Sequence, residues 1–537
     1  MKIPVKEDLV ALCSVSHAFR VLTLPYLYRK IEINSRSMQE RDRFCRSIAA
    51  GAASHFHYTT SLTIWDMEGN NIPRYPFFLI PSELAEQDDQ YRLSFSGQRS
   101  VLKTVLKHFE VAKLRSFRFA SEVFGLDSDD WNLLRKHTET LRHLHVDFSQ
   151  LPYWMRPYLK TLDMKFRSDA DPRSLAYILK DSPTTALERL HLEFSGDMRT
   201  VAYTRNGFDQ MLSKHEISLV HLERLTVLSL RSVNLEDLNA WRVALPQVSN
   251  LKKLNLMDCP GTNAFLSHLG ETCVMSSSQL EHLSAKLEEI DESQSCDLCL
   301  REFYKHCDRL QSLHISWEPY FSILDPEWTL DSLARFGHRL RSLSLHNYDC
   351  WDDDPTLPLR SLQQICRDCP NLEQFGIQIP ESLIDDSDRG LLLFQELLQE
   401  CFNRFSKLRI IHFRQMVHHP SMVERDLPKR TPDEISSSIQ NCVNTFLSLV
   451  TLPELRYVVW GSDEAQSDFE NDTKELVAQH CYIKGQAIDG MPGGKGSPIG
   501  IPITQSRMKL NDPDLDILQY DPVPWRNVRD PARFLYD

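Results

Sequence analysis

The sequence predicts an α/β fold built as a leucine-rich-repeat solenoid, with parallel strands along a concave side and helices along a convex side. Three observations predict it. The stretch Leu251-Lys252-Lys253-Leu254-Asn255-Leu256-Met257-Asp258-Cys259 reads L-x-x-L-x-L-x-x-C, in which Leu254 and Leu256 alternate on a short strand and face inward. The pattern returns at Leu225, Leu251, Leu280, Leu310, Leu340 and Leu372, in steps of 26, 29, 30, 30 and 32 residues. Between these strands lie segments with helical spacing, such as Leu330, Leu333, Ala334 and Phe336, and Leu362, Ile365, Cys366 and Cys369. One such unit cannot bury its apolar side alone, so the repeats must stack.

Asp8 is placed to cap a first helix carrying Leu9, Leu12, Val15, Ser16 and Phe19, an apolar stripe that breaks before Pro25. Pro25 suits the first turn of a second short helix with Leu27 and Tyr28, and Ile31 and Ile33 lead out extended. On physical grounds this is a small helical hairpin that must dock on something. Residues 34 to 53 are charged and helix-permissive, with Phe44 and Ile48 on one side. Thr59-Leu62-Ile64 offers a first, weak strand, and 72–97, with Pro73, Pro76 and Pro81, reads as an insertion loop.

The strand series then runs Leu114-Phe117-Phe119, Leu141-Leu144-Val146, Leu159-Leu162-Met164, Leu187-Leu190-Leu192 and Leu225-Leu228-Leu230 before reaching Leu251. Beyond it come Leu280-Leu283-Ala285, Leu310-Leu313-Ile315, Leu340-Leu343-Leu345, Leu372-Phe375-Ile377, Leu408-Ile411-Phe413 and Leu455-Val458-Trp460. The pattern stops at Ser462. A helix near Thr473 to Cys481 would cap the open end, and Leu515, Ile517, Leu518, Tyr520, Trp525, Phe534, Leu535 and Tyr536 are too apolar for a free tail. The C-terminal segment is therefore expected to fold back on the repeats. The boundaries that follow are 1–33 for the hairpin, 34–57 for a linker helix, 58–461 for the repeats and 462–537 for a cap and tail.

The N-terminal residues resemble a known family. Asp8-Leu9-Val10-Ala11-Leu12-Cys13-Ser14-Val15-Ser16-His17-Ala18-Phe19-Arg20, followed by Leu24-Pro25-Tyr26-Leu27-Tyr28-Arg29-Lys30-Ile31, is similar to the second half of a fungal F-box. Joined to leucine-rich repeats, it resembles the F-box/LRR family of substrate receptors. That resemblance implies a non-enzymatic role without a cofactor: binding a Skp-type adaptor and, through it, a cullin-based SCF ubiquitin ligase, while the repeats grip a protein substrate for degradation. It assigns Leu9, Leu12, Val15, Phe19, Leu24, Pro25, Leu27 and Tyr28 to the adaptor contact or the F-box core. The alternative for these residues is a plain cap on the end of the solenoid. The family's Leu-Pro and first helix do not precede Asp8, so either sequence upstream of Met1 supplies them or the F-box is degenerate. A repeat scaffold without ligase attachment is the alternative.

A net charge of −13 over 537 residues argues against nucleic acid or an anionic membrane as partner. Acidic runs such as Asp352-Asp353-Asp354 fall in expected loops. Only 18 glycines are present, and Gly490-Met491-Pro492-Gly493-Gly494-Lys495-Gly496-Ser497 departs from the order of a phosphate-binding loop, so it reads as a connector. Thirteen scattered cysteines and the lack of an apolar run near 18 residues fit a soluble protein of the cytoplasm or nucleus. Cys296, Cys299, His306 and Cys307 are zinc-type ligands at poor spacing, and no metal site is expected.

Substrate contact is expected on the outward strand residues, including His145, His191, Arg231, Asn255, His314, His346, His412 and Arg414. Aromatics after the strands, Trp317, Tyr320 and Phe321, then Tyr348 and Trp351, are candidate interface anchors, with loops folded over the core as the plainer reading.

Overall fold

A strand whose apolar residues recur every second position buries one face, and a neighbour with the same pattern pairs in register so that both apolar rows stay inside. That rule organises the computed structural model, which describes residues 6–34, 38–66, 102–109, 113–121, 125–147, 159–167, 187–195, 224–233, 235, 250–273, 279–287, 303–317, 333–347, 359–377, 401–414, 432–461, 480–487, 496–515 and 517. The chain is α/β with a mostly parallel sheet, and it divides into two compact units, Met1–Asn250 and Leu251–Asp537.

In the first unit the strands are β1 (Lys30–Asn34), β2 (Ser61–Asp66), β3 (Ser116–Ser121), β4 (His143–Asp147), β5 (Thr161–Arg167), β6 (Arg189–Ser195) and β7 (Val227–Arg231). Each lies parallel to the next in chain order. The pairing aligns Leu62, Phe117, Leu144, Leu162, Leu190 and Leu228 in one row. All six are buried, as are Ile64, Phe119, Val146, Met164, Leu192 and Leu230 two residues on. The strands are entered alike. One carbonyl accepts two successive N–H groups of the next strand's approach, as Arg115 does from Arg142 and His143, and Lys160 from Glu188 and Arg189.

Three helices precede β2: α1 (Lys6–Val15), α2 (His17–Leu27) and α3 (Met38–Ala49), the last in the expected linker with Phe44 and Ile48 half-buried. A 3-10 segment, Ala52–Tyr58, follows, and its Phe56 stacks on Phe44 and Phe109. Helix α4 (Ser128–Leu134) starts with a capping box between Asp127 and Asp130.

Two expectations are corrected here. The helix break lies at Ser16, whose hydroxyl caps α2 by accepting from Phe19 N–H, while Asp8 lies inside α1 and Pro25 inside the last turns of α2. The sheet also begins earlier than residue 58: Ile31 and Ile33 belong to β1, which pairs with β2. The predicted insertion loop at 72–97 lies outside the described residues.

In the second unit, β8 (Lys253–Met257), β9 (His282–Leu287), β10 (Ser312–Trp317), β11 (Ser342–Asn347), β12 (Gln374–Ile377), β13 (Ile410–Phe413) and β14 (Tyr457–Trp460) are also parallel, each to the next. Helix α5 (Thr262–Cys273) starts after a turn in which Asp258 and Gly261 take positive φ, and it buries Phe265, Leu266 and Leu269. Helix α6 (Leu359–Asp368) buries Leu362, Ile365 and Cys366 as the spacing predicts, with Cys369 just past its end also buried. Leu333 and Phe336 are likewise buried, but Ala334 is exposed. Helix α7 (Pro432–Leu449) opens on proline, which fits a first helical position. Its Phe446 meets Phe402 and Phe413, and Phe413 packs on Trp460 with ring centroids 4.9 Å apart.

The expected helix up to Cys481 is overturned where it is described: His480 and Cys481 start β15 (His480–Gln486), which pairs antiparallel with β14. Strand β16 (Pro498–Pro502) returns antiparallel to β15. Between these two strands Ala487 N–H donates to Ser497 C=O, and 488–495, which hold most of the glycine-rich stretch, lie outside the described residues. Side chains of α7 fix β16 in place: Gln440 donates to Gly500 C=O and Asn444 accepts from Gly500 N–H, at 2.7 and 2.9 Å. A Cβ on Gly500 would meet Val443 at 2.6 Å, so the close approach requires glycine. Helix α8 (Gln505–Asn511) follows β16.

Candidate functional site

The N-terminal hairpin is apolar on a side that water reaches. Leu9 is buried, and Leu12, Leu24, Pro25, Leu27 and Tyr28 are half-buried, with the Tyr28 ring against His55 and Phe56. Val15 and Phe19, by contrast, are 67% and 45% exposed. Beside them stand Val10, Val21, Leu22 and Tyr26, all more than half exposed, which the sequence reading passed over. The sequence carried part of that signal: Phe19, Leu22 and Tyr26 are spaced three and four apart, a stripe on α2 that shows once the break is put at Ser16, with Val15 at the end of α1. Thr23 ties the two helices, as its hydroxyl meets the Cys13 thiol at 2.8 Å.

The outward face of β3–β7 is polar and half-buried. Register sets Arg118, His145, Asp163, His191 and Ser229 in one row across adjacent strands. His145 Nδ1 lies 2.6 Å from Asp163 Oδ2, and His191 Nε2 lies 3.9 Å from the other carboxylate oxygen. Burial pushes the Asp163 carboxyl up, but the charge and hydrogen bond of His145, with His191 and Arg118, outweigh it and hold the pKa below the ordinary value. In the next row Lys165 and Glu193 pair at 3.1 Å, and Arg231 is half-buried beside them in register. Asn255 on β8 of the second unit is likewise half-buried.

The same face of β10–β14 is sealed, which corrects the expected open column. His314, His346, His412 and Arg414 are 4%, 1%, 0% and 3% exposed. His314 contacts Ser342 Oγ at 3.0 Å, His412 reaches Gly461 C=O at 2.7 Å, and Arg414 lies 3.4 Å from His346. Burial, then the Arg414 charge, lowers the pKa of His314 and His346 well below the ordinary histidine value. Trp317 is the last residue of β10 rather than part of a loop, and Tyr320, Phe321, Tyr348 and Trp351 lie outside the described residues.

Part of the seal is the chain's own C-terminal segment: of the residues expected to fold back, Leu515 and Ile517 do so, and Leu518, Tyr520, Trp525, Phe534, Leu535 and Tyr536 lie outside the described residues. Met508, Leu515 and Ile517 join outward-facing Ile410, Tyr457 and Val459 and the strand residue Cys481 in one buried cluster. Arg409 holds Asp512 through both carboxylate oxygens at 2.9 Å and also pairs with Glu373. Gln374 donates to Asp514 C=O and accepts from Ile517 N–H. The sequence reading missed Arg409, Gln374 and Asp512: the first two sit at repeat positions, but the partner that gives them a role lies outside the repeats.

At the entry edge of β9–β13 a cleft of about 500 Å³ is lined by Arg309, Arg339, Arg341, His338 and Lys407 together with Glu281 and Glu373. Arg341 and Glu373 lie 3.7 Å apart across it, and Lys407 donates to Asn371. Among the described residues no three His, Cys, Asp or Glu side chains are grouped to hold a metal ion. Of the zinc-type ligands, Cys296 and Cys299 lie outside the described residues, and the buried Cys307 thiol donates to Phe303 C=O. Burial pushes the Cys369 thiol up to about 12, and the hydrogen bond that Cys366 makes to Cys401, with burial, raises Cys366 further, so these are unreactive core thiols. Among the described residues no helix is long and apolar enough to cross a membrane. No protein-family model matches the chain, and no curated protein matches it.

Proposed function

We propose that this chain is a leucine-rich-repeat solenoid serving as the substrate-recognition subunit of an SCF-type ubiquitin ligase in the cytoplasm or nucleus. In this reading the hairpin α1–α2 binds a Skp-type adaptor and through it a cullin, and the repeats bind a protein substrate. The chain performs no bond chemistry itself and needs no cofactor. The observation that carries the reading is the exposed apolar stripe Phe19, Leu22 and Tyr26 of α2, with exposed Val15 at the end of α1. Apolar side chains of that size, clustered on one short hairpin, are stable in water at a cost that a partner removes. The in-register parallel strands, with one face reserved for leucine and the other polar over β3–β7, support the repeat reading.

The test is co-purification of the tagged full chain with a Skp-type adaptor and cullin, against the variant Phe19→Glu with Leu22→Glu and against a chain lacking residues 1–28. The deletion stops short of β1, which belongs to the sheet. Capture by the wild type and loss in both altered forms is the expected result. Capture that survives the double substitution overturns the assignment of the hairpin, and capture by none of the three leaves a repeat scaffold without ligase attachment.

A further inference from the structure

We infer that the outward face of β12–β14 is a docking site for short peptide segments of the form Asp-x-x-Leu-x-Ile, occupied here in cis by the chain's own residues 512–515 and 517. The inference rests on the reading of the strand face as the partner-binding surface and names the kind of partner it takes. The contacts are those of a receptor with a peptide. Arg409 Nη1 lies 2.9 Å from both Asp512 carboxylate oxygens, a charge-assisted contact that favours an acidic side chain, while its Nη2 donates to Glu373. Gln374 reads main chain in both directions, donating to Asp514 C=O at 2.9 Å and accepting from Ile517 N–H at 3.0 Å. Main-chain contacts of this kind accept any sequence that keeps the path.

Specificity then falls to Leu515 and Ile517, both fully buried against Ile410, Tyr457 and Val459. Gly376 borders the site: a Cβ there would come within 2.7 Å of Ser344 Oγ and 3.1 Å of Ile517 Cδ1, so a side chain at this position would crowd both. Between the anchors the segment stays in water. Pro513 and Asp514 are exposed, and Leu510 is 76% exposed just before them. The segment pairs with no strand among the described residues, so three anchors and one side-chain amide hold it. A tethered segment has an effective concentration in the millimolar range, so an outside peptide competes poorly until the tether's own anchors are weakened.

The experiment uses the full chain and a fluorescein-labelled synthetic peptide of residues 504–519, read by anisotropy. A chain carrying Asp512→Ala, Leu515→Ala and Ile517→Ala should bind the peptide at least tenfold more tightly than the wild type. Adding Arg409→Ala, or putting Asp512→Ala into the peptide, should remove that gain. No binding by a triple variant that still melts cooperatively overturns the inference, as does binding indifferent to Arg409→Ala.

Should the triple variant fail to fold, hydrogen exchange of the wild type decides. Amides of Met508 and Ile517 exchanging at least a hundredfold faster than those of β13 support a detachable occupant, and exchange only through global unfolding overturns it. Adaptor capture by the same chains is a separate readout. If it fails while the peptide binds, the ligase attachment falls and the peptide site stands; if it holds while the peptide does not bind, the reverse is true.

Discussion

The outward faces of β4–β6 and of β12–β14 occupy the same register positions yet meet different surroundings. On the first, His143, Thr161 and Arg189 lead a surface that water reaches, and its charges settle one another, His145 with Asp163 and Lys165 with Glu193. On the second, Gln374, Ile410 and Tyr457 stand at the equivalent positions, each buried, and the strands are buried at every residue. A strand that is polar on one side fixes only which way it faces. A strand apolar on both sides demands a second cover, and the C-terminal segment supplies it.

The sharpest way to break that comparison is to truncate the same repeat position in both regions. Ile410→Ala should cost about 2–5 kcal/mol, as for any buried aliphatic side chain, although it faces away from the leucine core. Thr161→Ala, at the matching place on β5, should stay within about 0.5 kcal/mol. Denaturant unfolding measures both. Equal and small losses would mean that the face of β13 is open in solution.

Next in size is the ion pair under the C-terminal segment. Arg409→Ala leaves the Asp512 carboxylate, 7% exposed, without its guanidinium, and should cost about 2–3 kcal/mol, somewhat under the value for a fully buried pair because Arg409 keeps some contact with water. Lys165→Ala, which breaks the more open pair with Glu193, should cost about 1 kcal/mol or less. Reversal of that order would place the better-ordered contacts in the first unit.

Acid should separate the regions by pH. His314 and His346 have folded pKa values well below those of the unfolded chain, so the unfolded state binds protons first. Their contribution to stability is intact above the unfolded value of about 6.5 and falls below it, by at most about 1.4 kcal/mol per pH unit for each group. Replacing both with glutamine should flatten the drop in melting temperature between about pH 7.5 and pH 5.5. Asp163 works in the opposite range. Its depressed pKa gives stability above the unfolded carboxylate value of about 4, lost only as the pH falls through the folded value, so Asp163→Asn should flatten a limb at lower pH.

Much of this architecture was legible because leucine spacing and strand period coincide. Every L-x-x-L-x-L residue from Phe117 to Trp460 assigned to the inward row is buried. The helix break at Ser16 was obscured by Leu9, Leu12, Val15 and Phe19, which fit one stripe so well that the capping serine within it went unused. The sealed face had a signal too: Ile410-Ile411-His412-Phe413 and Tyr457-Val458-Val459-Trp460 lack the alternation of Val227–Arg231, and continuous apolar runs belong to strands covered on both sides. Histidine hid it, since His314, His346 and His412 read as surface residues until their partners are in view. The pairing of Arg409 with Asp512 spans 103 residues and follows no repeat, so spacing gives no access to it.

The smallest effect tests whether the charged ladder at the strand entries matters to either region. Lys160 and Glu188 meet at 2.7 Å in the first unit with 47% and 45% of their side chains exposed, and Lys252 and Glu281 repeat the arrangement at 3.4 Å in the second. Both pairs sit where a single carbonyl already accepts two N–H groups from the following strand, so the backbone fixes the spacing without help from the side chains. Glu188→Gln and Glu281→Gln should therefore each change stability by no more than about 0.5 kcal/mol, an effect that salt erases. A loss above that in one unit alone would mean that its strand entries depend on side-chain charge, and the difference between the regions would then extend from their outward faces to their edges.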